Sequence, residues 1–201
     1  MNKDRTTIIY ALFKHTLDYS GAFLSLIVLS PLIGLLALLI KFSGPGPVIF
    51  SQVRVGKNGK PFTMYKLRSM IVDAEKDEPL LSNVHDQRVT GVGRFMRRHR
   101  FDEIPNLINV LRGEMSLVGP RPERQYFIDR ILEKTPAYLR LLSVKPGITS
   151  WGQVKYGYAS DVDQMIRRLE FDLTYLEEMS ILTDLKIIIK TARIIFKGRG
   201  V

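Results

Sequence analysis

The chain has 201 residues, 45% hydrophobic and 25% charged, which suffices for one packed domain with a small appendage and excludes a disordered chain. It has no cysteine, so no disulfide framework or thiolate zinc site is available, and His15, His85 and His99 show no ligand-pair spacing. The formal net charge of +10 predicts an anionic partner: nucleic acid, acidic lipid headgroups or a phosphorylated substrate.

Residues 19–40 carry no charge over 22 positions. A straight helix of that length measures about 33 Å, close to the ~30 Å hydrocarbon core of a bilayer. A soluble core helix would need cover on every side, which the remaining charged chain supplies poorly, and residues 41–47 lack a small-residue cleavage site. The run is therefore expected to enter a membrane. Pro31 predicts a kink or break near its middle, with the Ser30 hydroxyl able to satisfy a freed carbonyl. Each half would reach only about 15–18 Å. Lys3, Arg5 and Lys14 precede the run, and Lys41, Arg54 and Lys57 follow it, so both flanks carry the positive charge typical of a cytoplasmic side. On the residues alone, a re-entrant hairpin and a kinked spanning helix both stand.

Residues 42–47 form a Gly/Pro linker and the natural boundary between an anchor (1–41) and a second domain (42–201). Residues 48–55 and 62–70 read as strands joined by a turn at 56–61, a β-hairpin carrying Lys66 and Arg68. Residues 71–87 are polar and aperiodic and read as a short helix with a surface loop. The stretch 88–100 holds Arg88, Arg94, Arg97, Arg98 and Arg100; Gly91 and Gly93 give only half a dinucleotide fingerprint, with Met96 where the third glycine would stand. Ile104, Leu107, Ile108 and Leu111 follow helical spacing, with Asp102 as N-cap or first-turn residue, Pro105 in the first turn and Gly113 at the end. Residues 116–122 are a short apolar run ending in a stiff Gly/Pro turn, a helix is expected at 123–133, and 144–151 is a rigid turn region. At the C-terminus, Lys186, Lys190, Arg193 and Lys197 share one helical stripe while isoleucines fill most of the rest. That pattern suits an amphipathic interfacial helix, or a core-packed helix with a solvated basic face.

Asp102 and Glu103 are adjacent carboxylates at a predicted helix start, where partial positive charge favours an ionised carboxylate and phosphate. An ionised Asp can attack phosphorus, and a neighbouring Glu can hold Mg²⁺; an ordinary cap with a first-turn Glu gives the same pattern. Arg121 stands between Pro120 and Pro122, which present its planar fork from a stiff loop, either toward phosphate or to solvent. Around Arg97 only Phe95 and Phe101 interleave the cations, which argues poorly for base stacking.

In order along nearly the whole chain, several stretches carry a resemblance. They are Ser30-Pro31, Gly44-Pro45-Gly46-Pro47-Val48-Ile49-Phe50, Gln52-Val53-Arg54-Val55-Gly56 and Tyr65-Lys66-Leu67-Arg68-Ser69-Met70. They continue with Asp102-Glu103-Ile104-Pro105, residues 109–122 with Gly119-Pro120-Arg121-Pro122, Lys145-Pro146-Gly147-Ile148-Thr149 and Glu170-Phe171-Asp172. Together they resemble the bacterial sugar transferases, the monotopic polyprenol-phosphate phosphoglycosyl transferases. Lys145, where many members have Arg, and Ser69, where Thr is commoner, depart from the pattern.

The resemblance implies an α+β, mostly helical fold with a re-entrant membrane helix broken at Ser30-Pro31. It implies an enzyme at the cytoplasmic face of the bacterial inner membrane that acts in surface glycan assembly. Asp102 would attack the β-phosphate of a UDP-sugar donor, release UMP and hold the phosphosugar covalently until polyprenol phosphate accepts it. Glu103 would be a Mg²⁺ ligand, Lys66, Arg97 and Arg121 would bind substrate phosphates, and Asp172 matches a further acidic site position. The expected partners are these two substrates and inner-leaflet lipids, with no nucleic acid; a homo-oligomer is compatible. The rival class is a non-enzymatic basic membrane protein binding anionic lipid or nucleic acid, and a second is direct sugar transfer with release of UDP. The irregular stretches 71–87 and 153–163 are the expected seats of sugar selection.

Overall fold

The computed structural model describes residues 3–75, 79–82 and 86–200, with side chains from residue 10 onward. The side chains of Lys3 and Arg5, and all of His85, lie outside the described residues.

Helix α1 (Lys3–Phe42) spans 40 residues. Asp18, Ala22, Leu26, Leu29, Ile33, Leu36 and Ile40 recur at steps of three and four, so they form one stripe, and this stripe packs on the rest of the chain. Phe23, Leu24, Ile27, Val28, Leu35, Leu38 and Leu39 on the other faces are exposed. Only 11% of the most apolar window of α1 is buried, unlike a soluble core helix, and α1 is long and apolar enough to cross a membrane. The expected break at Ser30-Pro31 is not an interruption: the helix continues through Pro31. Proline has no N–H to offer the Ile27 carbonyl four residues back, and Ser30 Oγ donates to that oxygen instead, at 2.8 Å.

Strands β1 (Ile49–Val55) and β2 (Pro61–Leu67) form the expected antiparallel hairpin, with Ile49 opposite Leu67 and Val55 opposite Pro61. The turn between them is tight because Asn58 and Gly59 adopt left-handed φ of 58° and 73°. On β2, Phe62 and Met64 pack against α1 and α3, and Leu67 packs against Leu36 and Ile40 of α1. Arg68, just past the strand, donates to the carbonyls of Ile40 (3.0 Å), Gly44 (2.8 Å) and Pro45, capping the C-terminal end of α1.

No helix forms between residues 71 and 87 among the described residues; Met70 and Val89 instead make an isolated bridge, and 76–78 and 83–85 lie outside the description. Helix α2 (Gly91–Arg98) is capped by Thr90, whose hydroxyl accepts from Gly93 N at 2.9 Å. Gly93 is needed for packing rather than nucleotide binding, since a Cβ there would lie 1.9 Å from Ser69 O. A 3₁₀ turn (Phe101–Glu103) leads to α3 (Asn106–Leu111), which ends before Gly113 at φ 75°.

The remaining elements are β3 (Ser116–Val118), α4 (Gln125–Leu132), a 3₁₀ segment (Pro136–Ser143), β4 (Gly147–Thr149), α5 (Trp151–Lys155), α6 (Val162–Glu177) and α7 (Ile181–Phe196). The short apolar run at 116–118 and part of the stretch expected as a rigid turn at 144–151 pair as parallel strands, Ser116 opposite Gly147 and Val118 opposite Thr149. Helices α4 and α6 close a core of Phe127, Ile128, Ile131, Tyr138, Leu141, Met165 and Leu169. The α+β, mostly helical expectation therefore holds.

Helix α7 buries Asp184 and Ile187 against Val118, Trp151 and Tyr175, whereas Leu182, Leu185, Ile189 and Phe196 stay exposed. Asp184 accepts from Tyr10 Oη (3.1 Å), Lys14 Nζ (2.9 Å) and Tyr175 Oη (2.7 Å), and so ties the start of α1 to the body. Breaking a buried ion pair strands the remaining partners, so Asp184→Ala is expected to cost about 3 kcal/mol. Denaturant unfolding in detergent checks the magnitude. Amide exchange should rise in the first turns of α1 and α7 and stay unchanged in the β1–β2 hairpin.

Candidate active site

A cavity of about 850 Å³ opens between the β1–β2 hairpin, the 3₁₀ turn, the Pro-Arg-Pro loop and α5. Lys66, Arg97, Asp102, Glu103 and Arg121, dispersed over 56 positions of sequence, all line it. Strand alternation brings Lys66 there from β2, and the flanking prolines hold Arg121 opposite.

Glu103 is the most engaged of these side chains. Its Oε1 accepts from Lys66 Nζ at 2.7 Å and Arg121 Nη1 at 3.1 Å; its Oε2 accepts from Arg100 Nη2 at 2.5 Å and Nε at 3.2 Å. Burial works to raise this carboxyl, but Arg100, Lys66 and Arg121 outweigh it and hold Glu103 well below the usual carboxylate range. Burial also pulls the Lys66 amine below its ordinary value, against the pull of Glu103. For Arg121 burial opposes the charge, and Glu103 and Glu123 reverse that, holding the guanidinium above its ordinary value.

Asp102 differs from its neighbour. It is 6% exposed and makes no side-chain hydrogen bond among the described residues. Burial pushes its carboxyl up, the adjacent Glu103 charge adds to this, and Lys66, Arg97 and Arg100 oppose. Of the two positions expected for Asp102 the structure shows the first-turn one: Asp102 sits inside the 3₁₀ turn, whose N-cap is Arg100 at a left-handed φ of 55°. Two adjacent carboxyls are thus driven apart in proton affinity by their partners, as in sites that assign them different tasks.

Arg97 Nη1 donates to Ser82 Oγ at 2.7 Å, and Tyr158 Oη accepts from Ser82 N at 3.1 Å. The described parts of 71–87 and 153–163 therefore meet at one cavity wall, which both segments line. Asp172 is not in the wall. It is buried behind it, accepting from Gly152 N at 2.7 Å at the start of α5. Lys145 is also outside the lining.

A family model described as bacterial sugar transferase matches residues 9–198. The chain belongs to the bacterial sugar transferase family. Among its relatives, the UDP-N-acetylgalactosamine-undecaprenyl-phosphate N-acetylgalactosaminephosphotransferase of Aeromonas hydrophila is 42% identical over 192 residues, covering 96% of this chain and 45% of that protein. The UDP-glucose:undecaprenyl-phosphate glucose-1-phosphate transferase of Escherichia coli K12 is 42% identical over 189 residues, 93% of this chain and 40% of that one. A putative undecaprenyl-phosphate N-acetylgalactosaminyl 1-phosphate transferase of Bacillus subtilis is 45% identical over 133 residues, 66% of this chain and 74% of that relative. The chain thus spans less than half the length of the first two.

In this sugar transferase fold, sequence reading missed two sets of residues. Arg100 stood within a basic run, but only its left-handed backbone turns it back onto Glu103 three residues later. Glu123, expected as the first residue of a helix, lies before α4 and pairs with Arg54 (3.2 Å) and Arg168 (2.6 Å) at the cavity wall. Burial lowers the Arg54 guanidinium to about 10 despite Glu123. Nothing in the sequence signals that three-way pairing.

Burial raises Asp172 from 3.8 to about 6, against the hydrogen bond from Gly152 and the charge of Arg168. A carboxyl raised on folding makes the native state bind the extra proton, so its contribution is greatest below the unfolded value and is lost as pH rises to the folded one. Stability measured by denaturant unfolding should therefore carry a falling component from pH 3.8 to about 6, and Asp172→Asn should remove that component.

Proposed function

We propose that this chain transfers a sugar 1-phosphate from a UDP-sugar to polyprenol phosphate through a covalent phosphosugar on Asp102. The observation that carries the reading is a buried carboxyl without a hydrogen-bond partner among the described residues, facing a cavity in which cations outnumber carboxylates. The names of the relatives, which pair a UDP-sugar or sugar 1-phosphate with undecaprenyl phosphate, support the two substrates.

In the first step an Asp102 carboxylate oxygen forms a bond to the β-phosphorus of the donor. The bridging P–O bond breaks, and UMP leaves with the bridging oxygen. In the second step a phosphate oxygen of the lipid attacks the same phosphorus, the Asp102 O–P bond breaks, and the carboxylate returns with polyprenol diphosphate sugar as product. Lys66, Arg97 and Arg121 neutralise charge on the diphosphate and on the leaving phosphate. Lys66 and Arg121 also keep Glu103 ionised beside the nucleophile. The raised Asp102 carboxyl is more nucleophilic once ionised than an ordinary one.

Among the described residues no group of three or more His, Cys, Asp or Glu could cage a metal. The adjacent oxygen donors of Asp102 and Glu103 fit the way Mg²⁺ is held, by one or two carboxylates together with substrate phosphates. When bound, Mg²⁺ would offset phosphoryl charge; Glu103, whose oxygens are engaged by Lys66, Arg100 and Arg121, would serve as its ligand once a diphosphate draws Lys66 and Arg121 away.

The membrane reading rests on α1, residues 1–41 being the anchor and 42–201 the catalytic domain. Polar groups of the body grip α1 near both ends, Asp184 at Tyr10 and Lys14 and Arg68 at the C-terminal end, with packing between. Two such polar ends do not suit opposite sides of a ~30 Å hydrocarbon core, which favours a re-entrant anchor on the cytoplasmic face of the inner membrane. Helix α7 lies at the same interface. Residues 71–87 and 153–163, which meet at the cavity wall, select the sugar.

Intact-protein mass spectrometry tests the chemistry. Incubation with UDP-sugars and Mg²⁺, without lipid acceptor, is expected to add one sugar phosphate, mapped to Asp102, and to release UMP. Asp102→Asn should give no adduct, and Lys66→Met should slow its formation by about 10²–10³-fold. Release of UDP, or full activity in Asp102→Asn, would sink the mechanism. Because only ionised Asp102 attacks and its carboxyl is raised above 3.8, the rate of adduct formation should fall on acidification before ordinary carboxylates titrate. Quenched-flow rates that stay flat down to the ordinary carboxylate range would contradict this.

A further inference from the structure

Trp151, the only tryptophan of the chain, lies on α5 outside the cavity described above and is 9% exposed. Three ammonium groups gather over its ring: Lys190 Nζ at 4.8 Å from the centroid, Lys155 at 5.0 Å and Lys186 at 5.6 Å. Each is attracted to the face of the indole, and together they repel one another. No described carboxylate forms an ion pair with any of the three, nor with Arg193 and Lys197 on the same helix. Desolvation, then the charges of Lys155, Lys186 and Arg193, push the Lys190 ammonium below its ordinary value. The cluster is thus short of negative charge.

The apolar surroundings narrow the source of that charge. Helix α7 has three sectors rather than two. Asp184 and Ile187 face the body, and Lys186, Lys190, Arg193 and Lys197 form a stripe beside them. Next to that stripe, Leu182, Leu185, Ile189 and Phe196 form an exposed apolar row, with Leu182 78% and Phe196 87% exposed. A row of large apolar side chains bordered by unpaired cations matches the boundary between acyl chains and anionic headgroups, and does not match a polar macromolecule such as nucleic acid.

We propose that Lys155, Lys186 and Lys190, seated on Trp151, form a binding site for the phosphate of an anionic phospholipid, while the Leu182–Leu185–Ile189–Phe196 row inserts among the acyl chains. The site rests on the membrane placement proposed above and deepens it; it does not rest on the Asp102 chemistry. It holds the cavity wall next to the bilayer through α5, whose far end leads into Tyr156 and Tyr158 of that wall.

The lone tryptophan makes the test direct. The full chain is reconstituted in vesicles of phosphatidylcholine with a minority of phosphatidylglycerol. Two preparations share this lipid mixture, one with bromine on the phosphatidylglycerol chains and the other with the same molar amount on phosphatidylcholine. Trp151 emission should be quenched about twofold or more strongly by brominated phosphatidylglycerol, and the preference should vanish in K155Q/K186Q/K190Q and in ~0.5 M salt. Equal quenching by the two lipids overturns the proposal. Vesicle-bound protein with no quenching by either lipid also overturns it while leaving α1 in the membrane. Protein that does not sediment with the vesicles overturns both readings.

Discussion

The buried contact of Glu103 with Lys66, Arg100 and Arg121 is the constraint on which the site depends. Charges taken out of water are costly unless paired, and one carboxylate here draws its partners from β2, the residue opening the 3₁₀ turn and the Pro-Arg-Pro loop. Glu103 absorbs those cations, and among the described residues Asp102 beside it makes no side-chain hydrogen bond. Its charged form is disfavoured by burial and by Glu103, while Lys66, Arg97 and Arg100 keep it from being costlier still. A nucleophile needs this balance: accessible, not quenched by a tight ion pair, and close to cations that a diphosphate satisfies better than one carboxylate does.

The second coupling runs between this site and α1. A helix that is apolar on all faces would ordinarily be separable from a charged domain, yet α1 contributes Ala22, Leu36 and Ile40 to cores that also contain Met64, Leu67, Leu107 and Met96. Polar groups of the body hold it at Tyr10 and Lys14 and at its C-terminal end. Ser30 and Pro31 act as a pair, the hydroxyl replacing the N–H that proline lacks, so that α1 stays helical through its middle. The helix thereby presents one continuous apolar surface alongside the body.

Much of this was legible in the sequence where local rules apply. The hairpin followed from two strand-like runs around Gly56 to Pro61, and the apolar run, the linker and the Gly113 stop were set by composition, φ freedom and period. Five of the proposed site residues do line one cavity. What stayed hidden was non-local. Strands β3 and β4 are three residues each, too short to show a period, and exist only because Ser116 and Gly147 meet. The Glu123 pairing joins residues 54, 123 and 168, and no spacing predicts it. The first-turn position of Asp102 is local and was legible, whereas the upward push of burial on its carboxyl is a property of the assembled fold.

Strand geometry then explains how membrane and chemistry are kept in register. Side chains two residues apart on a strand share a face, so Phe62, Met64 and Lys66 point the same way along β2, while Leu67, on the other face, and Arg68, just past the strand, both meet the end of α1. The first two meet the core shared with α1, Lys66 meets Glu103, and Arg68 meets the carbonyls at the end of α1. One strand therefore links Glu103, through Lys66, to the C-terminal end of α1, through Leu67 and Arg68. A one-residue slip of β2 would turn Phe62, Met64 and Lys66 over and lose their core contacts and the Glu103 partner at once. Under the proposed function the acceptor arrives within the bilayer and the donor from water. The depth of Asp102 is then a requirement of the reaction, and it is the strand, not a flexible linker, that sets it.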